Sequence, residues 1–222
     1  MRINALIACS LVVAAHRAGA AQINAPELPL ASRAAAESLL VDVASLDSTI
    51  RIDARYATAN NFTGSPLPGY DAPRALLRRE AALALQRVQI RVRSGGFALK
   101  VFDGYRPVRA TVAMVNWAER TGRLDLVENG YIARRSRHNL GIAVDLTLVD
   151  AASGMELNMG TPYDTFSEAA HTANATGLAL KHRRILVHAM EAEGFANYDQ
   201  EWWHFSYPVA GALPFDEPIG AR

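Results

Sequence analysis

Two short stretches concentrate residues able to hold a metal ion or move a proton: Ser136-Arg137-His138-Asn139-Leu140-Gly141-Ile142-Ala143-Val144-Asp145-Leu146-Thr147 and Glu201-Trp202-Trp203-His204-Phe205. Imidazole nitrogens and carboxylate oxygens are the donors that divalent metals take from a chain lacking thiolates. In the first stretch Ile142, Val144, Leu146 and Leu148 alternate as the core-facing side of a strand, so Asp145 points to the other face beside Ala143 and Thr147. Small Ala143 leaves room there, and Gly141 lets the backbone turn sharply from the loop that carries His138. A loop histidine can then meet a strand carboxylate. In the second stretch Glu201 and His204 would share one face of a helix, but the aromatic run favours a strand or a bulged turn. Two adjacent tryptophans exclude water and hold a ligand still.

Spacing alone leaves alternatives open. Asp145 also reads as a hydrogen-bonded buried carboxylate, and a lone histidine is more often structural than a ligand. His171, His182 and His188 read that way, and Lys181-His182-Arg183-Arg184 reads as a solvated helix face.

The elements that must position these groups belong to one compact domain. The chain has 222 residues, 50% of them hydrophobic and 20% charged, enough for a sizeable core and far from a disordered composition. Ile50-Arg51-Ile52-Asp53 alternates as a strand, and polar loop residues follow at Asn60–Gly64 with turn residues from Pro66 to Pro73. Leu77, Ala81, Ala84, Leu85, Val88 and Val92 recur with a helical period that Gly95-Gly96 stops. Phe97 to Asp103 alternates as a strand. Pro107 suits the first turn of a second helix through Val112, Val115 and Trp117 to Gly122, and a third spans about Lys181 to Glu193. Strands and helices do not alternate regularly, so the expected class is α+β. No repeat, low-complexity tract or linker divides the chain.

The first twenty residues stand apart. Arg2, the apolar run Ile3–Ala15 and Ala18-Gly19-Ala20 read as a signal peptide, leaving 21–222 as the mature domain. The run is shorter than the roughly 20 apolar residues a membrane-spanning helix needs. Losing Arg2 and Arg17 takes the formal charge from +1 to −1. A buried N-terminal helix is the competing reading, and Leu6-Ile7-Ala8-Cys9 weakly resembles a lipoprotein box. The expected location is exported and periplasmic. Cys9 is the only cysteine, so the mature chain has no disulfide and no thiol nucleophile. The balanced charge points to no nucleic-acid or membrane-surface partner and sets no oligomeric state.

Ser136-x-His138-x-x-Gly141-x-Ala143-x-Asp145, followed by Glu201-x-Trp203-His204, resembles the signature of the D-alanyl-D-alanine metallopeptidases, a fold group shared with lysostaphin-type enzymes and the hedgehog domain. Several further stretches are similar to the dipeptidase branch that includes the vancomycin-resistance dipeptidase. These are Tyr56-Ala57-Thr58 with Asn61-Phe62-Thr63-Gly64, Asp103-Gly104-Tyr105-Arg106-Pro107, Met159-Gly160 with Tyr163-Asp164, and Gly194-Phe195. The resemblance runs from about Ile50 to Phe215. It implies a mainly antiparallel sheet flanked by helices, and one zinc ion on His138, Asp145 and His204. It also implies Glu201 as general base and acid, Arg106 as transition-state stabiliser, and Ser136, Tyr56 and Asp164 as contacts to a small dipeptide. The chain departs from the branch in its N-terminal extension and between Trp117 and Tyr131.

Each implied role competes with a plainer one. Arg106 also reads as the ion-pair partner of Asp103, and Asp164 as an N-cap ahead of Phe166–Ala170. Both roles of Arg106 are compatible. Two rival functions stand beside the dipeptidase: a carboxypeptidase acting on peptidoglycan stem peptides, against which Asp164 argues, and a non-catalytic zinc-binding relative, against which Glu201 and Arg106 argue.

Overall fold

The structure is a computed structural model describing residues 29–221. The expected signal segment, its Ala18-Gly19-Ala20 site and Cys9 lie outside the described residues.

Thirteen elements follow one another: α1 (Arg33–Leu39), β1 (Leu40–Asp42), α2 (Val43–Leu46), β2 (Arg51–Ile52), β3 (Leu76–Arg78), α3 (Arg79–Arg93), β4 (Phe97–Asp103), α4 (Val108–Arg120), α5 (Asp125–Glu128), β5 (Ala143–Asp150), α6 (Gly177–Glu191), β6 (Ala196–Tyr198) and β7 (Glu201–Ser206). Five strands form the main sheet in the order β2-β4-β5-β7-β6, antiparallel except for β2 beside β4, and β1 pairs with β3 in a separate two-stranded ribbon. The α+β expectation and its mainly antiparallel sheet are both met. Among the described residues no helix is long and apolar enough to cross a membrane.

The two-residue period of β5 decides which face does what. Val144, Leu146 and Leu148 are buried against Leu85 and Val88 of α3 and Leu186 and Met190 of α6 in one core. Ala143, Asp145 and Thr147 are buried as well, so β5 is covered on both sides. A second core collects Tyr56, Tyr70, Tyr105, Met114, Leu126 and Phe215 around α4.

Local readings shift at several points. Leu77 lies in β3, and the helix begins only at Arg79. The buried stripe of α4 runs through Ala110, Thr111, Met114, Val115 and Ala118, leaving Val112 exposed. α6 starts at Gly177, four residues before Lys181, and its basic run is solvated only at Lys181 and Arg184. Arg183 is 1% exposed and His182 is buried. Arg183 donates to the carbonyls of Met159 (2.7 Å), His171 (2.6 Å) and Ala169 (3.0 Å), and His182 Nδ1 donates to the Asn158 carbonyl (2.9 Å). A buried guanidinium with each of its three nitrogens donating to a carbonyl is stabilised without a counter-charge. Through it α6 clamps the loop that carries Tyr163 and Asp164.

Candidate active site

Three neighbouring strands place three ionisable side chains in a row. Asp145 on β5 stands across from His204 on β7 and, on the other side, from Asp103 on β4. Residues directly opposite in adjacent strands share a face, with Cβ atoms about 4.5–5.5 Å apart. Val101 pairs with Leu146 and Asp103 with Asp145, so Phe102 is an extra residue that bulges β4 beside the site.

A second irregularity brings Glu201 in. Tyr198 of β6 pairs with Glu201 while Asn197 pairs with Phe205, so residues 202–204 of β7 arch away from β6. The Asn197 amide fills the gap, donating to the carbonyls of Glu201 (3.2 Å) and His204 (3.0 Å). Regular alternation would put Glu201 and His204 on opposite faces; the arch lets both line one cavity. Their carboxylate and imidazole approach to 3.9 Å.

His138 arrives from a 3-10 turn, Arg137–Leu140, capped at its start by the Ser136 hydroxyl, which accepts from the His138 N–H at 3.2 Å. Gly141 ends that turn at φ 69°, and a Cβ there would sit 2.7 Å from the Leu40 side chain, so the position requires glycine on both counts. His138 Nδ1 lies 2.7 Å from the Gly104 carbonyl oxygen, which can only accept. The proton therefore sits on Nδ1, and Nε2 presents its lone pair to the site. Gly104 itself approaches β3 so closely that a Cβ would stand 2.6 Å from the Leu76 carbonyl.

Three donor atoms meet at this point: His138 Nε2, Asp145 Oδ1 and His204 Nδ1, separated by 3.3, 2.9 and 3.1 Å. Tetrahedral zinc with bonds of about 2.0–2.1 Å spaces its ligand atoms by roughly 3.3 Å. Two imidazoles, one carboxylate and no thiolate suit zinc, and His138 already has the outer hydrogen bond that metal-bound histidines ordinarily make. The residues fit the ion.

Arg106 is held from both ends. Its Nε and Nη2 donate to Asp103 Oδ2 at 3.0 and 2.8 Å, its Cζ lies 5.0 Å over the Tyr56 ring, and its carbonyl accepts from Asn139 at 2.9 Å. Asp103 is fixed in turn by Tyr70 (2.6 Å) and the Gly104 N–H (2.9 Å), both on Oδ1. The expected ion pair with Asp103 is present, and it leaves Arg106 lining the cavity.

Asp164 does not cap a helix; Ser167 occupies that position ahead of the 3-10 turn Glu168–Ala170. Instead Asp164 adopts φ 58°, the only positive value among the described non-glycine residues. Its carboxylate accepts from the Tyr56 hydroxyl at 3.1 and 3.2 Å. Strain of this kind gathers at ligand clamps.

Charge in the site is uneven. Burial opposes the ionisation of Asp145, but His138 and then His204 outweigh it and hold the carboxyl below the usual range. Burial, with Asp145 and Asp164 adding to it, pushes Glu201 well above 4.5. Asp164 keeps part of its surface open to the cavity, yet the surrounding protein, helped by Asp145, pushes it up to about 8. Burial lowers His204, keeping it neutral and able to bind a metal.

All eight residues expected at the site line one cavity of about 230 Å³, whose walls include Phe62, Met114 and Phe166. Typical small-molecule pockets span about 300–1,000 Å³, so this one suits a very small ligand. Asp103 was anticipated as the partner of Arg106, whereas Tyr70, Asn197 and Tyr163 were missed; of these only the stretch around Tyr163 offered a signal. A larger groove of about 1040 Å³ runs along α6 and is lined by none of the eight expected site residues.

A histidine pair and a carboxylate facing one point, with a free glutamate and a fixed arginine beside them on an α+β sheet, define a metallopeptidase-type site. The chain belongs to the D-ala-D-ala dipeptidase family, whose model matches residues 36–219. The D-alanyl-D-alanine dipeptidase of Enterococcus faecalis is 37% identical over 171 residues, covering 70% of this chain and 85% of that protein. That of Streptomyces coelicolor is 38% identical over 176 residues, covering 72% and 87%. Among solved structures, the vancomycin-resistance D,D-dipeptidase VanXYg in complex with a D-Ala-D-Ala phosphinate analogue has a TM-score of 0.41 at 18% identity, covering 78% of this chain and 68% of that one.

Proposed function

We propose that this chain hydrolyses D-alanyl-D-alanine to two D-alanines at a single zinc ion held by His138, Asp145 and His204, a reaction of cell-wall (peptidoglycan) metabolism. The observation that carries the reading is Glu201. It shares the cavity with the three donor atoms yet stands 3.9 Å from His204, beside the cluster and outside it.

Held by His138, Asp145 and His204, zinc would polarise the peptide carbonyl and lower the pKa of water towards about 7. The rest of the chemistry falls to the chain. Glu201 takes the proton of the attacking water and returns it to the leaving amine, a task helped by a pKa that burial raises above the ordinary glutamate value. Arg106, fixed by Asp103, offers permanently charged donors to the oxygen on which negative charge develops. Asp164, steadied by Tyr56, receives the substrate ammonium, and Ser136 still has its hydroxyl proton for the carboxylate. Removing zinc with a chelator is expected to stop D-alanine release, and one equivalent of zinc per chain to restore it. Full activity in metal-free protein would refute the reading.

The elevated Glu201 pKa sets the acidic limb of the rate profile. The base must be ionised, so turnover falls as pH drops through its pKa, and the limb should lie above the ordinary glutamate value of 4.5. Measuring kcat from pH 4 to 9 with zinc held saturating checks this; a limb below 4.5 contradicts it.

The domain is proposed to reach the periplasm by cleavage near Ala20. The intact mass of protein isolated from its host is expected to match a chain beginning at or close to Ala21, and a chain beginning at Met1 would refute export by this route.

A further inference from the structure

The Tyr163 hydroxyl has no part in the chemistry above, yet it touches the donor cluster. It lies 3.0 Å from Asp145 Oδ2 and 3.0 Å from the Tyr56 hydroxyl, which in turn reaches both oxygens of Asp164. The ring carrying it cannot swing freely. It stacks on Phe102 at 4.7 Å and 27°, and meets Trp203 edge-on at 5.4 Å. Trp203 is fully enclosed, and Phe102 is the bulged residue of β4. Packing therefore fixes the oxygen's position.

That position divides the labour of Asp145. Its Oδ1 faces both histidines, and its Oδ2 faces Tyr163, with Arg106 Nη2 farther away at 3.8 Å. A hydrogen bond to the outer oxygen of a carboxylate ligand sets which oxygen meets the metal and at what angle.

The hydroxyls also count out a coupling. With Asp164 ionised, as it must be to receive an ammonium, Tyr56 and Tyr163 supply one proton each to the three contacts along the line Asp164–Tyr56–Tyr163–Asp145, so only two can be hydrogen bonds at once. While Tyr56 donates to Asp164 and Tyr163 to Asp145, the two phenolic oxygens face each other without a hydrogen between them. An ammonium on Asp164 supplies hydrogens of its own and frees Tyr56 to donate to Tyr163. The bond from Tyr163 to Asp145 then becomes one link of a continuous chain, each bond polarising the next.

We propose that Tyr163 is a positioning residue that fixes the metal-facing oxygen of Asp145 and ties it to the Tyr56–Asp164 clamp, so that the metal and ammonium subsites are set together. This rests on the reading of Asp145 as a zinc ligand and Asp164 as the ammonium partner.

The test is Tyr163→Phe, which removes one oxygen and keeps the ring on Phe102 and Trp203. Zinc affinity, read by competition with a chelating indicator well below the melting temperature, is expected to weaken at least about 10-fold. At saturating zinc, KM for D-Ala-D-Ala is expected to rise by a larger factor than kcat falls. The metal-free protein should melt where the wild type does, because the packing is intact. A zinc affinity or a KM that matches wild type overturns the proposal, whatever the melting temperature. A wild-type chain that takes up no zinc, or that leaves D-Ala-D-Ala uncut when loaded, refutes the proposed function instead.

Discussion

Glu201→Ala is expected to retain one zinc ion per chain and to lose at least about 10²-fold in kcat. His204→Ala is expected to lose the metal itself. The contrast follows from where each group stands. His204 Nδ1 lies 2.9 Å from Asp145 Oδ1 and 3.1 Å from His138 Nε2, within the cluster, whereas the Glu201 carboxylate stops 3.9 Å short of it. Deleting a donor atom opens the coordination sphere, but deleting a neighbouring base removes only the proton carrier. Glu201 is also enclosed beside Asp145 and Asp164, so replacing it relieves like-charge repulsion and the fold should not suffer. Metal content by atomic absorption and turnover on D-Ala-D-Ala, measured on the same preparations, separate the two roles. Equal zinc loss in both variants would show that Glu201 is a ligand.

The second large effect concerns Asp164. A free dipeptide carries an ammonium that a longer peptide or an acetylated one lacks, and Asp164 is the carboxylate available for it at the cavity wall. Truncating one partner of a desolvated charge pair costs about 2–5 kcal/mol, or roughly 30-fold to several-thousand-fold. N-acetyl-D-Ala-D-Ala should accordingly be a very poor substrate. Asp164→Ala should cut kcat/KM on the free dipeptide by a factor in that range and change hydrolysis of the acetylated one far less. Both substrates on both proteins form a double-mutant cycle that isolates the pair. Acetylation without cost in the wild type would mean that Asp164 does not bind the ammonium.

What the residues alone revealed follows the range of each interaction. The facing of Asp145 was readable because a strand's two-residue period is local: Val144 and Leu146 went to the core, so Asp145 had to turn away. The sharp turn at Gly141 was readable for the same reason. The arch that brings Glu201 and His204 together depends on how β6 pairs with β7 and on Asn197 bridging the gap, and no period within Glu201–Phe205 encodes it. Arg183 was misjudged because a basic run on a helix resembles a solvated face until the carbonyls of Met159, Ala169 and His171 are known to converge on it. Asp164 resembled a cap because Asp before a short polar-apolar run ordinarily is one; the backbone turn at φ 58° aims it at Tyr56 instead. Tyr163 stood in a stretch already singled out for its resemblance, but its bond to Asp145 crosses from a loop to a strand and could be seen only in three dimensions.

As a dipeptidase, the protein should use its cavity of about 230 Å³, with Asp164 in the wall, only for substrates bearing a free ammonium. The most direct test is to incubate the zinc-loaded protein with free D-Ala-D-Ala and, in parallel, with a peptidoglycan stem pentapeptide ending in the same two residues, measuring D-alanine release from each. Rapid release from the dipeptide and almost none from the pentapeptide are expected. Comparable kcat/KM on the two substrates would contradict this and make the enzyme a carboxypeptidase.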